Sequence, residues 1–196
     1  MNRLLIISTF LVTLASCSKE NPQKPPVVTD PTMKYTDLHN MPVKYQTITV
    51  LDLDGNGSID IYFGTTLIGD PILKQDRLAF DVTSVPDVNL QVVDNSDVGK
   101  RMNKGEAIGK NPADGYMWYE ITHIVLLEKV TPETGAPYWQ GEFRDASHHY
   151  LPVEIIKNGQ AFHGWVELSM DTIGERLILH KAAISIEADK EVKAGY

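Results

Sequence analysis

The sequence predicts an all-β fold, an antiparallel β-sandwich or jelly roll with few short helical turns. Three observations lead there. β-Branched and aromatic residues recur in short runs bounded by turn residues. The 14 glycines and 11 prolines interrupt the chain too often for long helices. And Asn158-Gly159 sits between two alternating runs, the favoured pair for a two-residue hairpin turn, because both positions need a positive φ.

The chain opens with Arg3 and an apolar run from Leu4 to Leu14, broken only by Ser8, Thr9 and Thr13. The run is shorter than the roughly 20 residues a membrane-spanning helix needs, but it suits the apolar core of a secretory leader. It ends in Leu14-Ala15-Ser16-Cys17, small residues followed by the chain's single cysteine. This segment resembles the bacterial lipobox. The resemblance implies thioether lipidation of Cys17, cleavage of residues 1–16, and acylation of the new amine, palmitate being the expected chain. Several acyl chains on one residue hold a protein on a membrane far more firmly than one chain does. Ser18 in place of aspartate implies, by the same resemblance, the outer membrane, facing the periplasm or the cell surface. With its lone cysteine lipidated the domain has no disulfide and must be held by its core.

Residues 17–33 carry the lipid and a Pro-rich tether, in which Pro22, Pro25, Pro26 and Pro31 are set among polar residues. Residues 34–196 suit one domain. The formal net charge is −8, with no lysine/arginine stripe, which argues against nucleic acid as a partner. An anionic membrane surface would repel such a domain, so the lipid anchor carries the membrane contact.

The strand candidates, in order, are Val43 to Leu53, Ser58 to Phe63, Leu78 to Val82, Val88 to Val93, Trp118 to Leu127, Tyr138 to Phe143 and the hairpin Leu151 to Leu168. Single helical turns are expected at Thr36 to Asn40 and Asp97 to Lys104, and a short helical tail at Glu187 to Ala194. The Asn158-Gly159 turn pairs Lys157 with Gln160, and the rest of the register follows: Ile155 with Phe162, Val153 with Gly164, Leu151 with Val166, His149 with Leu168. That face is nearly all apolar and belongs to the core. The other face sets Tyr150, Pro152 and Glu154 against Ala161, His163, Trp165 and Glu167.

The densest chemical signal is Asp52-Leu53-Asp54-Gly55-Asn56-Gly57-Ser58-Ile59-Asp60. Asp52, Asp54, Asn56, Ser58 and Asp60 put oxygens at the spacing that wraps a chain around calcium, which takes six to eight oxygens at about 2.3–2.6 Å. Gly57 allows the sharp turn, the Ser58 carbonyl is a ligand, and Ile59 is expected to anchor the loop inward. An EF-hand needs a bidentate glutamate at the twelfth position, where Phe63 stands. With strand-like segments on both sides, the loop resembles the DxDGxGxxD hairpin of FG-GAP and related extracellular β modules, over about 17 residues and once only, so no propeller is implied. The competing reading is an Asx turn satisfied by its own hydrogen bonds.

The lipobox, the tether, this loop and the late Phe162-His163-Gly164-Trp165-Val166-Glu167-Leu168 together resemble a group of uncharacterised exported β-proteins, and no activity comes with that likeness. Tyr150, Glu154, His163, Trp165 and Glu167 form a candidate ligand face, either a sugar platform or an acid–base pair. The plainer reading is an ordinary cross-strand pair with Trp165 covering a second layer. Gly105 to Asn111 is one residue short of a P-loop, and there is no Gly-x-Ser-x-Gly elbow. The expectation is a non-catalytic, calcium-stabilised binding or adhesion module of the cell envelope, with a glycan or an envelope protein as partner. The alternatives are a glycan-active hydrolase with a carboxylate pair defined only in space, or a purely structural envelope protein.

Overall fold

The computed structural model describes residues 30–196 apart from Asn95 and Ile121; the leader, Cys17 and most of the tether lie outside the described residues. Among the described residues there is no helix. Thirteen strands follow in order: β1 (Met33–Val43), β2 (Thr49–Leu51), β3 (Ile61–Asp70), β4 (Gln75–Ser84), β5 (Val88–Val93), β6 (Ala107–Ile108), β7 (Tyr116–Glu120), β8 (His123–Pro132), β9 (Tyr138–Gln140), β10 (His149–Lys157), β11 (Gln160–Asp171), β12 (Arg176–Ser185) and β13 (Val192–Lys193). They build a six-stranded sheet, β1-β12-β11-β10-β5-β7, a five-stranded sheet, β2-β3-β4-β8-β9, and a small β6-β13 pair. All named strand pairs are antiparallel.

The all-β sandwich expected from the sequence is what the chain forms. Its main core lies between the two large sheets, where Phe63, Phe80, Val82 and Leu127 of one meet Leu90, Leu151, Val153, Val166 and Leu179 of the other. The late hairpin takes the expected register at every pair, from His149 with Leu168 to Lys157 with Gln160. Asn158 and Gly159 both have positive φ, 51° and 75°. Gly164 is needed for a different reason. A Cβ there would press on the Ala183 carbonyl oxygen and lie 2.9 Å from Ile184 Cα, both backbone atoms of the neighbouring strand.

Several expectations need correction. Thr36 to Asn40 is not a helical turn: β1 runs through it as an edge strand with a bulge between Asp37 and Met41. His39 and Asn40 both take φ 54° there, and Asp37 Oδ1 accepts the His39 N–H. Asp97 to Lys104 is extended, bridging Val98 to Val125, Gly99 to Val92 and Met102 to Tyr150. The expected helical tail is a turn followed by β13, because Val192 and Ala194 alternate into a buried layer at 1 % and 0 % exposure. The Val43 to Leu53 run breaks at a turn closed by Thr47 N–H to the Lys44 carbonyl. β3 begins only at Ile61, and Trp118 to Leu127 divides between β7 and β8. Gly141, at φ 104°, ends β9 early, so Phe143 enters the core from a turn.

That buried layer is a second core over the outer face of the six-stranded sheet. Met102, Ile108, Val192 and Ala194 pack there on Tyr150, Trp165 and Ala183. The late hairpin is therefore buried on both faces, with Trp165 covered by a second layer as the plainer reading of that face had it.

Candidate functional site

The acidic loop joins β2 to β3, adjacent strands of the five-stranded sheet. One oxygen from each of Asp52, Asp54 and Asp60 lies within 4.8 Å of the others. Backbone N–H groups hold the carboxylates in place. Asp52 Oδ1 accepts from Gly55 and Asn56, and Asp52 Oδ2 from Gly57. Asp54 Oδ1 accepts from Asn56 at 2.9 Å, and Asp60 Oδ2 from Leu53 at 2.6 Å. Asn56 Oδ1 accepts from Ser58 N–H, so Asn56 braces the loop beside the carboxylate trio. Ile59 does not anchor the loop, being 38 % exposed; Leu53 at 4 % and Asp60 at 4 % do.

Two lysines meet this loop. Lys157 Nζ lies 2.6 Å from Asp54 Oδ2, a carboxylate 2 % exposed, and Lys34 Nζ donates to the Asp54 carbonyl. Burial opposes ionisation of Asp54, but the Lys157 ammonium and the Asn56 N–H outweigh it and lower its pKa. Asp60 goes the other way. Burial raises its pKa first, the charges of Asp54 and Asp52 add to this, and the Leu53 N–H only partly compensates. The donor set is all oxygen and anionic, which fits a hard divalent cation such as calcium. Lys157 supplies part of that counter-charge already.

The candidate ligand face on the late hairpin is covered. Tyr150, Glu154, His163 and Trp165 are 4 %, 6 %, 1 % and 2 % exposed. Trp165 Nε1 donates to the Tyr196 carbonyl, and Trp118 Nε1 to that of Gly109. His163 Nδ1 meets the Lys190 carbonyl at 2.7 Å and His163 Nε2 meets Glu154 Oε2 at 3.0 Å, while Asn89 Nδ2 donates to Glu154 Oε1. A carbonyl can only accept, so Nδ1 carries a proton, and a further proton must lie between Nε2 and Oε2. Burial first, and then the Glu167 carboxylate, raise the pKa of the Tyr150 hydroxyl. Glu167 also meets His148 Nδ1 at 2.8 Å. The group is a satisfied buried network that closes the C-terminal tail over the sheet, not an open platform.

A third region was not legible in the sequence. On the outer face of the five-stranded sheet, pairing aligns side chains in rows. Val50, Tyr62, Thr83 and His123 form one row, and Gly64, Asp81 and Val125 the next. Thr66, Ala79, Glu128 and Gln140 follow, then Ile68, Arg77, Val130 and Tyr138. Ala79, Asp81 and Glu128 are recessed at 1 %, 7 % and 8 % exposure, whereas Ile48, Val50 and Tyr138 stand proud at 76 %, 47 % and 48 %. Tyr62, Gly64, Thr66, Asp81, Thr83 and His123 line a depression of about 420 Å³. Glu128 is tied by Arg77 Nη1 at 3.3 Å and Gln140 Nε2 at 2.8 Å. Asp81 Oδ2 accepts from the Thr66 hydroxyl at 2.8 Å. No motif marks these residues, because only the strand register brings them together.

No family model matches this chain, and comparison with curated proteins and with solved structures likewise gives no match.

Proposed function

We propose that this protein is a lipid-anchored module of the bacterial cell envelope that binds rather than transforms its partner, with the β2–β3 loop steadied by calcium. The observation that carries the calcium reading is the convergence of Asp52, Asp54 and Asp60 within 4.8 Å. Three carboxylates so close repel one another, and the raised pKa of Asp60 records that repulsion together with its burial. A divalent cation relieves both. Asp52, Asp54 and Asp60 would hold the ion, with Asn56 and the Ser58 carbonyl completing the oxygen set. Its role is structural: it fixes the loop that joins two strands of the sandwich.

The anchor rests on the sequence alone. Cys17 after Leu14-Ala15-Ser16 is the lipidation site, the Pro-rich stretch before β1 holds the domain off the membrane, and the outer membrane is the address. The reading as a glycan-active hydrolase is the weaker one. Asp81 and Glu128 share a recessed face, but Glu128 is held by Arg77 and Gln140. Both Glu128 oxygens are thereby taken, Oε1 by Arg77 and Oε2 by Gln140, which leaves neither free to meet a glycosidic oxygen or a water.

Thermal unfolding of the full chain in EDTA and in millimolar calcium tests the loop. Calcium should raise the melting temperature of the native chain and leave Asp54→Ala unmoved. Equal melting in the two conditions would remove the calcium reading. Membrane fractionation tests the anchor: Cys17→Ser should move the protein to the soluble fraction, and unchanged fractionation refutes lipidation.

A further inference from the structure

The depression over Gly64 and Asp81 has the chemistry of a binding subsite. We propose that the outer face of the five-stranded sheet binds an extended, uncharged glycan, with Tyr62 as the platform for a sugar ring and Asp81 as the central hydrogen-bond acceptor. The proposal rests on the binding-module reading above.

Asp81 is buried to 7 % exposure on the outer face of the five-stranded sheet, where it lines the depression with Tyr62. One of its oxygens is taken by the Thr66 hydroxyl. The other lies toward Gly64, its partner across β3, where an added Cβ would come within 3.3 Å of Asp81 Oδ1. The glycine keeps the space above that oxygen open. Beside it, Thr83 Oγ1 and His123 Nδ1 form a 3.0 Å pair, and the Tyr62 ring is 37 % exposed at the wall.

This combination selects among partners. A carboxylate only accepts, while a threonine hydroxyl and a neutral imidazole both donate and accept. Sugar hydroxyls have the same double character, so one can donate to Asp81 while its neighbour accepts from Thr83 or His123. An ammonium or guanidinium only donates: it can meet Asp81 and the Thr83 oxygen, but it offers no acceptor to a hydroxyl or imidazole N–H. An anionic chain would meet both Asp81 and a protein of net charge −8. An apolar wall with a few convergent polar groups is the usual composition of a small-ligand site, and the aromatic face of Tyr62 supplies that wall. The face is also long. From Tyr62 on β3 to Tyr138 on β9 is three strand spacings across and six residues along, a diagonal of roughly 25 Å. Small residues, Gly64 and Ala79, keep the floor low between these two tyrosines, so the ligand is a chain and not a single sugar.

The test is calorimetric titration of the full chain with neutral oligosaccharides, namely cello-, xylo-, malto- and mannohexaose. Polygalacturonate and a lysine-rich peptide serve as charged comparators. At least one neutral hexaose should bind, and Tyr62→Ala and Asp81→Asn should each weaken it at least about tenfold, a loss of about 1.4 kcal/mol. Ile173→Ser, on an exposed turn outside the groove, should bind as the native chain does. The proposal is overturned if no neutral hexaose binds to folded protein, if Tyr62→Ala and Asp81→Asn bind unchanged, or if only the lysine-rich peptide binds. Chromatography of the sugar afterwards separates this proposal from the reading it rests on. Intact sugar keeps both. Shortened sugar, with the same two variants weakened, keeps the groove and overturns the non-catalytic reading.

Discussion

Replacing His163 with alanine tests whether the C-terminal tail is locked down by a buried charge-assisted network. The native imidazole is 1 % exposed and satisfies two acceptors at once, Glu154 Oε2 at 3.0 Å and the Lys190 carbonyl at 2.7 Å. Without it Glu154, 6 % exposed, keeps only the amide of Asn89 at 2.6 Å. Breaking a buried pair by removing one partner costs about 3–5 kcal/mol. The orphaned Lys190 carbonyl adds roughly 1 kcal/mol, because the space left by the ring lets water reach it. A loss of about 4–6 kcal/mol is a large share of the 5–15 kcal/mol a domain has in total. At about 2–4 °C per kcal/mol for a chain of this size, scanning calorimetry should record a fall of roughly 10–20 °C. The double variant His163→Ala, Glu154→Leu removes the stranded carboxylate and should recover part of the loss. A single variant melting within about 2 °C of the native chain would refute the network, since it would mean that Glu154 reaches water without unfolding.

Gly164→Ala should cost about 3 kcal/mol by urea unfolding, the upper end of the overpacking range, because the new methyl meets the backbone of β12 and not a side chain that can swing away; an unchanged midpoint would contradict the sheet register. Lys157→Met removes the ammonium from Asp54, so the metal-free melting temperature should fall and the calcium-induced rise should grow. A smaller calcium response in that variant would mean that Lys157 supports the ion instead of competing with it. The pH response follows from His180 and His149. Burial is the first cause of a lowered pKa in both, followed by the His148 charge for His180 and by Arg101 for His149. Their unfolded forms take up protons near the ordinary value of 6.5 and the folded forms do so only at lower pH, so stability is present above that value and lost as pH falls through it. Melting followed from about pH 8 to about pH 5 should decline, and less steeply in His180→Asn; a flat profile would sink the assignment.

The late hairpin was readable to the residue because turn chemistry and hydrophobic alternation impose the same register. What covers its second face was not readable. Glu187 to Ala194 carries helix-favouring residues, but Val192 and Ala194 gain more by packing on Trp165 and Tyr150 as an extended strap. The same tail hides His163, which the sequence offers as a candidate ligand residue only because the covering element is far away in the chain. The spacing of Asp52, Asp54 and Asp60 is local, so their convergence could be anticipated, but the lysines that meet them arrive from positions 34 and 157. Asp81 and Tyr62 carry no local signal at all. They become a site through the pairing of β3 with β4 and through the space left at Gly64.

Those two lysines give the acidic loop a meaning beyond its own turn. β2 and β3, which flank it, belong to the five-stranded sheet, whereas Lys34 on β1 and Lys157 at the end of β10 belong to the six-stranded sheet. Asp54 therefore touches both layers, through its carbonyl to Lys34 and through its carboxylate to Lys157. The loop works as a polar clasp at the edge of an otherwise apolar interface. The clasp lies at the start of β1, since Lys34 follows Met33 directly. An ion that draws Asp52, Asp54 and Asp60 together would free Lys157 and exchange one clasp for a tighter local loop. Calcium should accordingly stiffen the β2–β3 connection more than it strengthens the contact between sheets. Amide exchange separates the two effects: protection should grow at Leu53 and Gly57, whose N–H groups already bind Asp60 and Asp52, and not at the β10–β11 turn.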